Sequence, residues 1–292
     1  MSAQAGPGSA APPPGRPARP AGAEDTPAAR AFWDRGDLVR AVLAALDALL
    51  AAAAVERPTV DTLAPLDQFH GGGKAATTRL ARLAGLGPGL RVLDVGGGLG
   101  GPARTLAAEH GCRVAVLDLA PSYVDAGAAL TARLGLEGAV THAVGNALEL
   151  PFADAAFDVV WTQNSGMNID DKERMLAEFR RVLRPGGRLA FQEPMAGPVQ
   201  PPVFPLMWAE DPASNFLRTP AQMRALLEAT GYRIEAWDDV TADTIGGRAP
   251  PQGTSIQSLV MGDRLPAIGA AGRRNRDEQR IVMVQAVATR LG

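Results

Sequence analysis

"LRVLDVGGGLGGPARTLAAEHGCRVAVLDL", residues 90–119, predicts a strand, a glycine-rich loop, a helix and a second strand, in that order. Short apolar runs form the two strands, while Pro102 stands at the first helical position and Gly111 just past the helix end. Helices commonly begin and end this way, because the first turn does not use the N–H that proline lacks and glycine tolerates a left-handed backbone. The stretch therefore predicts one strand–helix–strand unit of a parallel sheet.

The alternation of strands and helices continues after this unit. Further strands are predicted at "AVTHAVGNALEL", "FDVVWTQN", "RLAFQEP", "YRIEAWDDV" and "RIVMVQAVATR", with helices between them. The helix in "IDDKERMLAEFRRVLRPGG" has Asp170 and Glu173 in a capping-box pattern and is predicted to stop at Pro185. The pattern predicts an α/β fold with a doubly wound, seven-stranded, mostly parallel sheet, whose ligands bind at the carboxyl ends of the strands.

The segments around the sheet suggest a division of the chain. We expect a disordered leader at 1–30, rich in Pro, Ala and Gly, then a helical cap at 31–70 and the main domain at 71–292. Residues 38–55 have the spacing of an amphipathic helix, and residues 56–73 are expected to be a turn-rich connection. Residues 194–218, with many prolines and large apolar side chains, are expected to form a lid insert or a surface loop. Residues 241–280 are weakly patterned, with one short helix expected at 255–261.

Composition restricts the partners. The formal charge is −2 and no run of Lys or Arg is present, so we expect a small-molecule partner and neither nucleic acid nor membrane. One cysteine and three histidines in unrelated contexts make a metal site unexpected. Nearly all of the positive charge is Arg, which we attribute to coding bias. The N-terminus lacks the apolar core of a signal peptide, so we expect a cytoplasmic protein, either a monomer or a homodimer.

The glycine loop "DVGGGLGG" fits two ligand classes. Its spacing satisfies the dinucleotide pattern G-x-G-x-x-G and also the pattern D-x-G-x-G-x-G, and Asp118 adds a carboxylate suited to ribose hydroxyls in both. A tight turn without a ligand is a third interpretation. Asp94 favours S-adenosylmethionine, because this cofactor has no phosphate to bind at a helix N-terminus and has two positive groups.

The motifs as a set resemble the class I S-adenosylmethionine-dependent methyltransferases. The glycine loop, the acid after the second strand, "ALELPF" and "RVLRPGG" occur in the family's order, and the resemblance runs from about residue 64 to 240. "DQFHGGGKAATTRLARLAGL" together with "LDVGGGLGG" is similar to the branch that includes phosphoethanolamine and sarcosine/dimethylglycine methyltransferases and many enzymes of bacterial secondary metabolism. The resemblance implies seven strands with the last one antiparallel.

The resemblance also implies a set of cofactor-binding residues. They are Gln68 and Phe69 in the cap; Asp94, Gly96, Gly98 and Gly100 in the loop; Asp118 and Leu119 at the ribose and adenine; Asn146 and Ala147 at the adenine amino group; and Gln163 at the methionine end. The family usually has Asp where Asn146 stands, although an amide oxygen also accepts a hydrogen bond.

The acceptor side is unusual for the branch. Phosphoethanolamine methyltransferases have an acid and a histidine after the fourth strand, where this sequence has "NSGMN". Neutral amides cannot act as bases near neutral pH, so His70 and Glu193 are the candidate catalytic residues; a hydrogen-bonding cap and a structural ion pair are their alternative roles. The substrate candidates are Asn164, Ser165, Met167, Asn168, Phe204 and Trp208.

The sequence thus predicts a methyltransferase for an apolar or aromatic small molecule, in which proximity supplies much of the acceleration. Two alternatives stay open. One is a protein of the same fold that binds S-adenosylmethionine without transferring methyl. The other is a nicotinamide-dependent oxidoreductase.

Overall fold

The two strands that flank the glycine loop lie side by side in the middle of a parallel sheet. In the computed structural model, strand β1 (Arg91–Val95) pairs with β2 (Arg113–Asp118), and helix α4 (Gly101–His110) connects them. The structure describes residues 30, 32–34, 36–244 and 255–292. The predicted leader, apart from Arg30, lies outside these residues.

The elements that precede and follow this unit have the following bounds. The N-terminal helices are α1 (Leu38–Ala53), α2 (Val60–Asp67) and α3 (Gly73–Leu83). After β2 come α5 (Pro121–Arg133), β3 (Val140–Val144), β4 (Phe157–Gln163), α6 (Lys172–Val182) and β5 (Leu183–Ala196). The remaining elements are α7 (Pro220–Ala229), β6 (Tyr232–Asp239), α8 (Thr241–Thr244), α9 (Ile256–Met261), α10 (Leu265–Asp277) and β7 (Ile281–Arg290).

The described residues form one seven-stranded sheet in the order β3-β2-β1-β4-β5-β7-β6. The first five strands in this order are parallel, while β7 runs antiparallel to both β5 and β6. The predicted α/β fold with an antiparallel last strand is confirmed. Because the chain leaves β1 for β2 on one side and later returns to β4 on the other, the crevice for a ligand opens above the ends of β1 and β4.

The helices that precede the sheet are anchored by apolar stripes. Helix α1 buries Leu38, Val42, Leu46 and Leu50, one residue per turn, and packs against α5. The expected turn-rich connection at 56–73 is wrong, since it contains α2, which Thr59 begins by a capping box with Thr62. Both residues of this capping box are threonines, whereas the third residue after the cap is usually Glu or Gln. The sequence pattern therefore does not reveal the motif.

Three further local predictions need correction. Asp171, not Asp170, caps α6, accepting a hydrogen bond from the backbone N–H of Arg174 at 2.8 Å. The helix ends at Val182, before the predicted stop, and β5 begins at the next residue. The short helix expected at 255–261 is present, but the following α10 was not predicted, because its glycines and arginines disguise its spacing.

Residues after β5 form an irregular segment that covers an apolar cluster. Leu206, Trp208 and Ala209 are buried there, and they pack against Met167 and Ile281. A single 3₁₀ turn, Pro212–Ser214, interrupts the segment. Among the described residues, no helix combines the length and the apolar character that crossing a membrane requires.

Candidate functional site

The glycine loop turns tightly between β1 and α4. Gly96, Gly98 and Gly100 all have positive φ angles, of 67°, 53° and 76°, which L-residues with a side chain rarely adopt. A Cβ atom at Gly96 would lie 2.3 Å from the Cβ of Ser165, so glycine is also required there for close approach. The backbone N–H of Gly98 donates to Oδ2 of Asp118 at 2.8 Å. The glycine loop and Asp118, the acid at the end of β2, therefore form one rigid unit.

Asp94 lies beneath this loop as a buried carboxyl group. Its Oδ2 atom has no hydrogen-bond partner within the described part of the chain. Burial, followed by the nearby Asp118 carboxylate, raises the pKa of Asp94 to about 8. The site therefore has an incompletely satisfied acid next to the loop, which a cationic ligand would stabilise in its ionised form.

Asp118, the last residue of β2, is held by backbone groups. Asp118 accepts from Gly98 through one oxygen and from the N–H of Ala120 through the other, at 3.0 Å. Burial raises the pKa of its carboxyl group, and the backbone hydrogen bonds oppose that rise. Leu119, Asn146 and Ala147 line the same cavity as Asp118. The structure thus brings together the four residues predicted for the ribose and adenine.

The cap joins the sheet through a network of amides and hydroxyls. The Thr77 hydroxyl on α3 lies 3.0 Å from Gln68 Oε1 and 3.0 Å from Gln163 Oε1, and it can donate its proton to either amide oxygen. Gln163 Oε1 also accepts from the indole N–H of Trp161 at 3.1 Å. The Nε2 atom of Gln163 is buried and has no partner among the described residues, although the residue lines the cavity. This leaves an amide donor available to a ligand.

His70 lies in the same network and lines the cavity. Its Nδ1 is 3.1 Å from the carbonyl oxygen of Gly71, and its Nε2 faces the amide oxygen of Gln68; both oxygens only accept, so the neutral ring, with one N–H, can donate to only one of them. Nε2 lies 3.0 Å from Gln68 Oε1 and 3.1 Å from Thr77 Oγ1. Burial lowers the pKa of His70 to about 4, so the ring is neutral at pH 7 and is a weak base. Phe69 beside it makes an edge-to-face contact with Trp33, with ring centroids 5.9 Å apart.

The residues predicted for the acceptor follow β4 in one loop. We call residues 164–169 the acceptor loop. Asn164, Ser165, Met167 and Asn168 all line the cavity. Ser165 approaches Thr162 with 2.6 Å between their hydroxyl oxygens, and the Asn168 amide donates to the Ser165 carbonyl at 3.2 Å. Trp208 also lines the cavity, whereas Phe204 packs behind it at the edge of the same apolar cluster.

Glu193 lies under the acceptor loop rather than in the cavity lining. Its Oε1 accepts from the backbone N–H groups of Ser165 and Gly166, at 3.2 and 2.9 Å. Oε2 has no partner among the residues that the structure describes. Burial raises the pKa of Glu193, although these hydrogen bonds oppose the rise. A catalytic role for Glu193 or His70 stays a prediction, and this geometry gives Glu193 a structural one.

Sequence reasoning missed a buried ion pair behind the glycine loop. Arg104 on α4 donates to Asp67 Oδ2 through Nε and Nη2, at 3.3 and 3.0 Å. The same guanidinium donates to the Gly127 carbonyl at 3.1 Å and to the Thr131 hydroxyl at 3.0 Å. Burial raises the pKa of Asp67 to about 6 even though Arg104 lowers it. The pair joins the end of α2, just before Gln68, to the helix that follows the glycine loop.

The cavity above the strand ends has a volume of about 2190 Å³. A typical small-molecule pocket holds about 300–1,000 Å³, so this one has room for a cofactor and a second molecule. It extends from the glycine loop, past the acceptor loop, to the apolar residues Leu206, Trp208 and Phe216. The arrangement places polar groups at one end and apolar groups at the other.

The polar end fits S-adenosylmethionine. Two buried polar atoms there, Asp94 Oδ2 and Gln163 Nε2, lack partners among the described residues, and the cofactor offers cationic and carboxylate groups of matching chemistry. Gly100 is the one predicted cofactor residue in the loop that does not line the cavity; a Cβ there would lie 2.6 Å from the ring of His142.

Comparisons with known proteins match the central part of the chain. Residues 93–191 match the model of a methyltransferase domain. A glycine/sarcosine/dimethylglycine N-methyltransferase of Actinopolyspora halophila is 36% identical over 132 residues, which are 45% of this chain and 23% of that protein. The chain spans only 23%, 27% and 39% of the lengths of three curated relatives that it matches.

Solved structures share the fold at low identity. Phosphoethanolamine N-methyltransferase 2 of Haemonchus contortus is 19% identical with a TM-score of 0.68, covering 90% of this chain and 61% of that one. The [4+2]-cyclase SpnF is 24% identical with a TM-score of 0.62, covering 88% and 94%. Residues 93–191 thus match a methyltransferase domain, and the described residues have the fold of the class I S-adenosylmethionine-dependent methyltransferases.

Proposed function

We propose that the protein transfers a methyl group from S-adenosylmethionine to an apolar or aromatic small molecule, at a carbon, nitrogen or oxygen atom. The observation that supports this most directly is the single cavity that joins the glycine loop to an apolar wall, with an uncharged acceptor loop between them. The resemblance to enzymes of bacterial secondary metabolism supports an acceptor of that kind, in the cytoplasm where the cofactor is made.

The cofactor would be held by residues at the polar end. Bound S-adenosylmethionine supplies an electrophilic methyl group on a positively charged sulfur. Asp118 would accept from the ribose hydroxyls, and the Nε2 of Gln163 would donate to the carboxylate at the methionine end. Asp94 would balance the positive charge. Leu119, Asn146 and Ala147 would border the adenine.

The acceptor loop would orient the second molecule without charging or deprotonating it. Asn164, Ser165 and Asn168 offer amides and a hydroxyl, which donate and accept but do not titrate near pH 7. Met167 and Trp208 offer apolar surface on the same side of the cavity. An uncharged loop of this kind favours an electron-rich ring carbon or a neutral nitrogen, whose lone pair or π electrons need no prior loss of a proton. Asp170 and Asp171, which follow the loop, also line the cavity.

His70 is the cavity-lining group best placed to accept a proton if one must leave. Both of its ring nitrogens, however, already lie within hydrogen-bond distance of protein oxygens, Nδ1 of the Gly71 carbonyl and Nε2 of Gln68 Oε1 and Thr77 Oγ1. With a pKa of about 4, the ring would remove a proton slowly from any weakly acidic acceptor. The role we propose for His70 is therefore to hold the cap in place, with water as the final proton acceptor.

A second candidate is a protein of this fold that binds the cofactor without transferring its methyl group. The acceptor loop is as consistent with this candidate as with methyl transfer. Neutral groups that only orient a bound molecule also suit a reaction that uses neither a base nor the methyl group. A solved [4+2]-cyclase has this fold, so the fold does not decide between the two functions.

Two measurements test the proposal. Calorimetric titration with S-adenosylhomocysteine and, separately, with NAD tests the cofactor; we expect only the first to bind, and binding of NAD alone would refute the proposal. Methyl-labelled S-adenosylmethionine is then incubated with substituted phenols and indoles and with sarcosine and phosphoethanolamine. We expect label in the aromatic compounds. Label confined to the charged amines would overturn the acceptor class, and no labelled product from these compounds or from a cell extract would favour the second candidate.

A further inference from the structure

Two buried side chains of opposite charge hold the acceptor loop from behind. On one side, Glu193 Oε1 accepts from the backbone N–H groups of Ser165 and Gly166. On the other, Lys172 Nζ donates to the carbonyl oxygen of Gly166 at 2.7 Å and to that of Ile169. Gly166 is thus bound at both its N–H and its C=O.

Lys172 also connects the loop to the segment after β5. Its Nζ donates to the Phe216 carbonyl at 3.0 Å, and the N–H of Phe216 donates in turn to the Met167 carbonyl at 3.1 Å. All three protons of the ammonium therefore have carbonyl acceptors. Because Phe216 and Met167 both line the cavity, Lys172 fixes two parts of the acceptor wall relative to each other.

Neither side chain is accessible from the cavity. Glu193 is 4% exposed and Lys172 3%, and neither lines the cavity. Burying an ionisable side chain is costly unless it is hydrogen-bonded, and here both side chains bond to backbone groups of the same loop. Each charge lowers the cost of the other here, since each shifts the pKa of the other toward its charged form.

The choice of lysine is informative in a chain that otherwise uses arginine. Only two of the 29 basic residues are lysines, Lys74 and Lys172. An ammonium is compact and has three donors that can reach three converging carbonyls, whereas a guanidinium is planar and wider. The position therefore requires the geometry of lysine and not only a positive charge.

We propose that Glu193 and Lys172 are positioning residues that fix the shape of the acceptor loop, and that neither exchanges a proton with the acceptor. This proposal rests on the proposed function of the same site. In this proposal Glu193 accepts hydrogen bonds from two backbone N–H groups and does not act as a general base.

The acceptor loop also contacts the cofactor end of the cavity. Its effect on cofactor binding can therefore be measured without knowing the acceptor. Ser165 packs directly against Gly96, and its hydroxyl donates to the carbonyl oxygen of Val95 at 3.3 Å. A displaced acceptor loop would therefore move against the glycine loop. We expect variants that release the loop to weaken binding of S-adenosylhomocysteine.

The decisive comparison is Glu193→Gln against Glu193→Ala in the full chain. Glutamine keeps an Oε1 that accepts both N–H bonds, whereas alanine leaves two buried donors unpaired. We expect Gln to change the S-adenosylhomocysteine Kd by less than about threefold and Ala to raise it about tenfold. Glu228→Gln, an exposed glutamate on α7, is the matched control. Hydrogen exchange of the amides of Ser165 and Gly166 should speed up in the Ala variant only.

Lys172→Arg and Lys172→Met complete the test. We expect both to raise the Kd and to speed exchange in the acceptor loop, because neither offers three compact donors. Once an acceptor is known, Glu193→Gln should keep the wild-type kcat and pH profile. A folded Glu193→Gln that loses turnover or binding would overturn the proposal, and so would Lys172→Arg with wild-type exchange.

Failure of the proposed function is distinguishable from failure of this proposal. Wild-type protein that does not bind S-adenosylhomocysteine contradicts the function, while the exchange data still report on the loop. If Glu193→Ala does not fold, Glu193→Gln alone decides, since wild-type behaviour supports positioning and a loss refutes it.

Discussion

Arg104→Met should destabilise the protein much more at pH 8 than at pH 5. In the native structure, Arg104 is the cation bonded to Asp67, and its charge also opposes the raised pKa of Asp94. Arg104 is fully buried and Asp67 nearly so. The variant leaves both carboxyl groups buried without this counter-charge.

The pH dependence follows from the direction of the pKa shifts. Asp67 has a folded pKa of about 6 against an ordinary value of 3.8, and Asp94 about 8 against 3.8. A raised pKa means that the folded state holds the proton more tightly, so stability is full below pH 3.8 and falls as pH rises through the folded pKa. Without Arg104 both pKa values rise further. The loss of stability therefore becomes larger and extends to higher pH.

The magnitude can be estimated from the broken contacts. At pH 5 both carboxyl groups are mostly protonated in the fold, so the main losses are the charge-assisted hydrogen bonds that Arg104 donates to Gly127 and Thr131, about 1.5 kcal/mol each. At pH 8 the same bonds are lost, and leaving the partner carboxylate buried without its cation costs about 3–5 kcal/mol more. We expect the free energy of unfolding to fall by about 3 kcal/mol at pH 5 and by at least about 6 kcal/mol at pH 8.

Urea denaturation of wild type and Arg104→Met at the two pH values measures this difference. The double variant Asp67→Asn with Arg104→Met serves as the matched control, because it removes the larger part of the uncompensated charge. It should lose less stability at pH 8 than the single variant. Equal destabilisation of Arg104→Met at pH 5 and pH 8 would refute the electrostatic argument and leave only lost packing.

Three further predictions concern the site. Asp118→Ala should weaken S-adenosylhomocysteine binding by about 1–3 kcal/mol through lost charge-assisted hydrogen bonds, with the exposed Asp125→Ala as the control; an unchanged affinity would place the ribose elsewhere. If His70 is the base, His70→Ala should lower kcat more than cofactor affinity, whereas equal losses would indicate the cap-holding role proposed above. Gly96→Ala should lower the melting temperature and the cofactor affinity, because it adds a clash to a strained φ angle. Gly87→Ala, which meets open space at an ordinary φ, should do neither.

The central sheet and the cofactor end could be predicted because their signals are local. Each strand is a short apolar run, and the glycine loop needs its spacing within eight residues. The residues predicted for the ribose, the adenine and the methionine end follow consecutive strands, so the topology of a parallel sheet brings them together without further information. Even Asn146, where the family has Asp, lies on the predicted wall.

The charged residues behind the site could not be found in this way. Asp67 and Arg104 are 37 positions apart, and Lys172 meets Phe216 across 44 positions of an irregular segment. No period or motif relates such pairs, because their contacts depend on how helices and loops pack after the sheet has formed. Phe204 and Trp208 illustrate the same limit: both were predicted at the pocket, but only Trp208 lines it.

The distribution of charge explains why the acceptor loop can be neutral. Asp94 and Asp118 lie at the end of the cavity where a cationic cofactor would bind, while Glu193 and Lys172 lie behind the acceptor loop and bond only to groups of that loop and its neighbours. Methyl transfer from a sulfonium removes a positive charge from the cofactor. A charged group facing the acceptor would therefore stabilise either the reactants or the products and disfavour the other. Charges that bind the backbone instead provide rigidity, and the acceptor loop itself presents amides, a hydroxyl and apolar side chains, while Asp170, Asp171 and Arg218 line the cavity beyond it. Rigid alignment is what a displacement without an obligatory proton transfer requires.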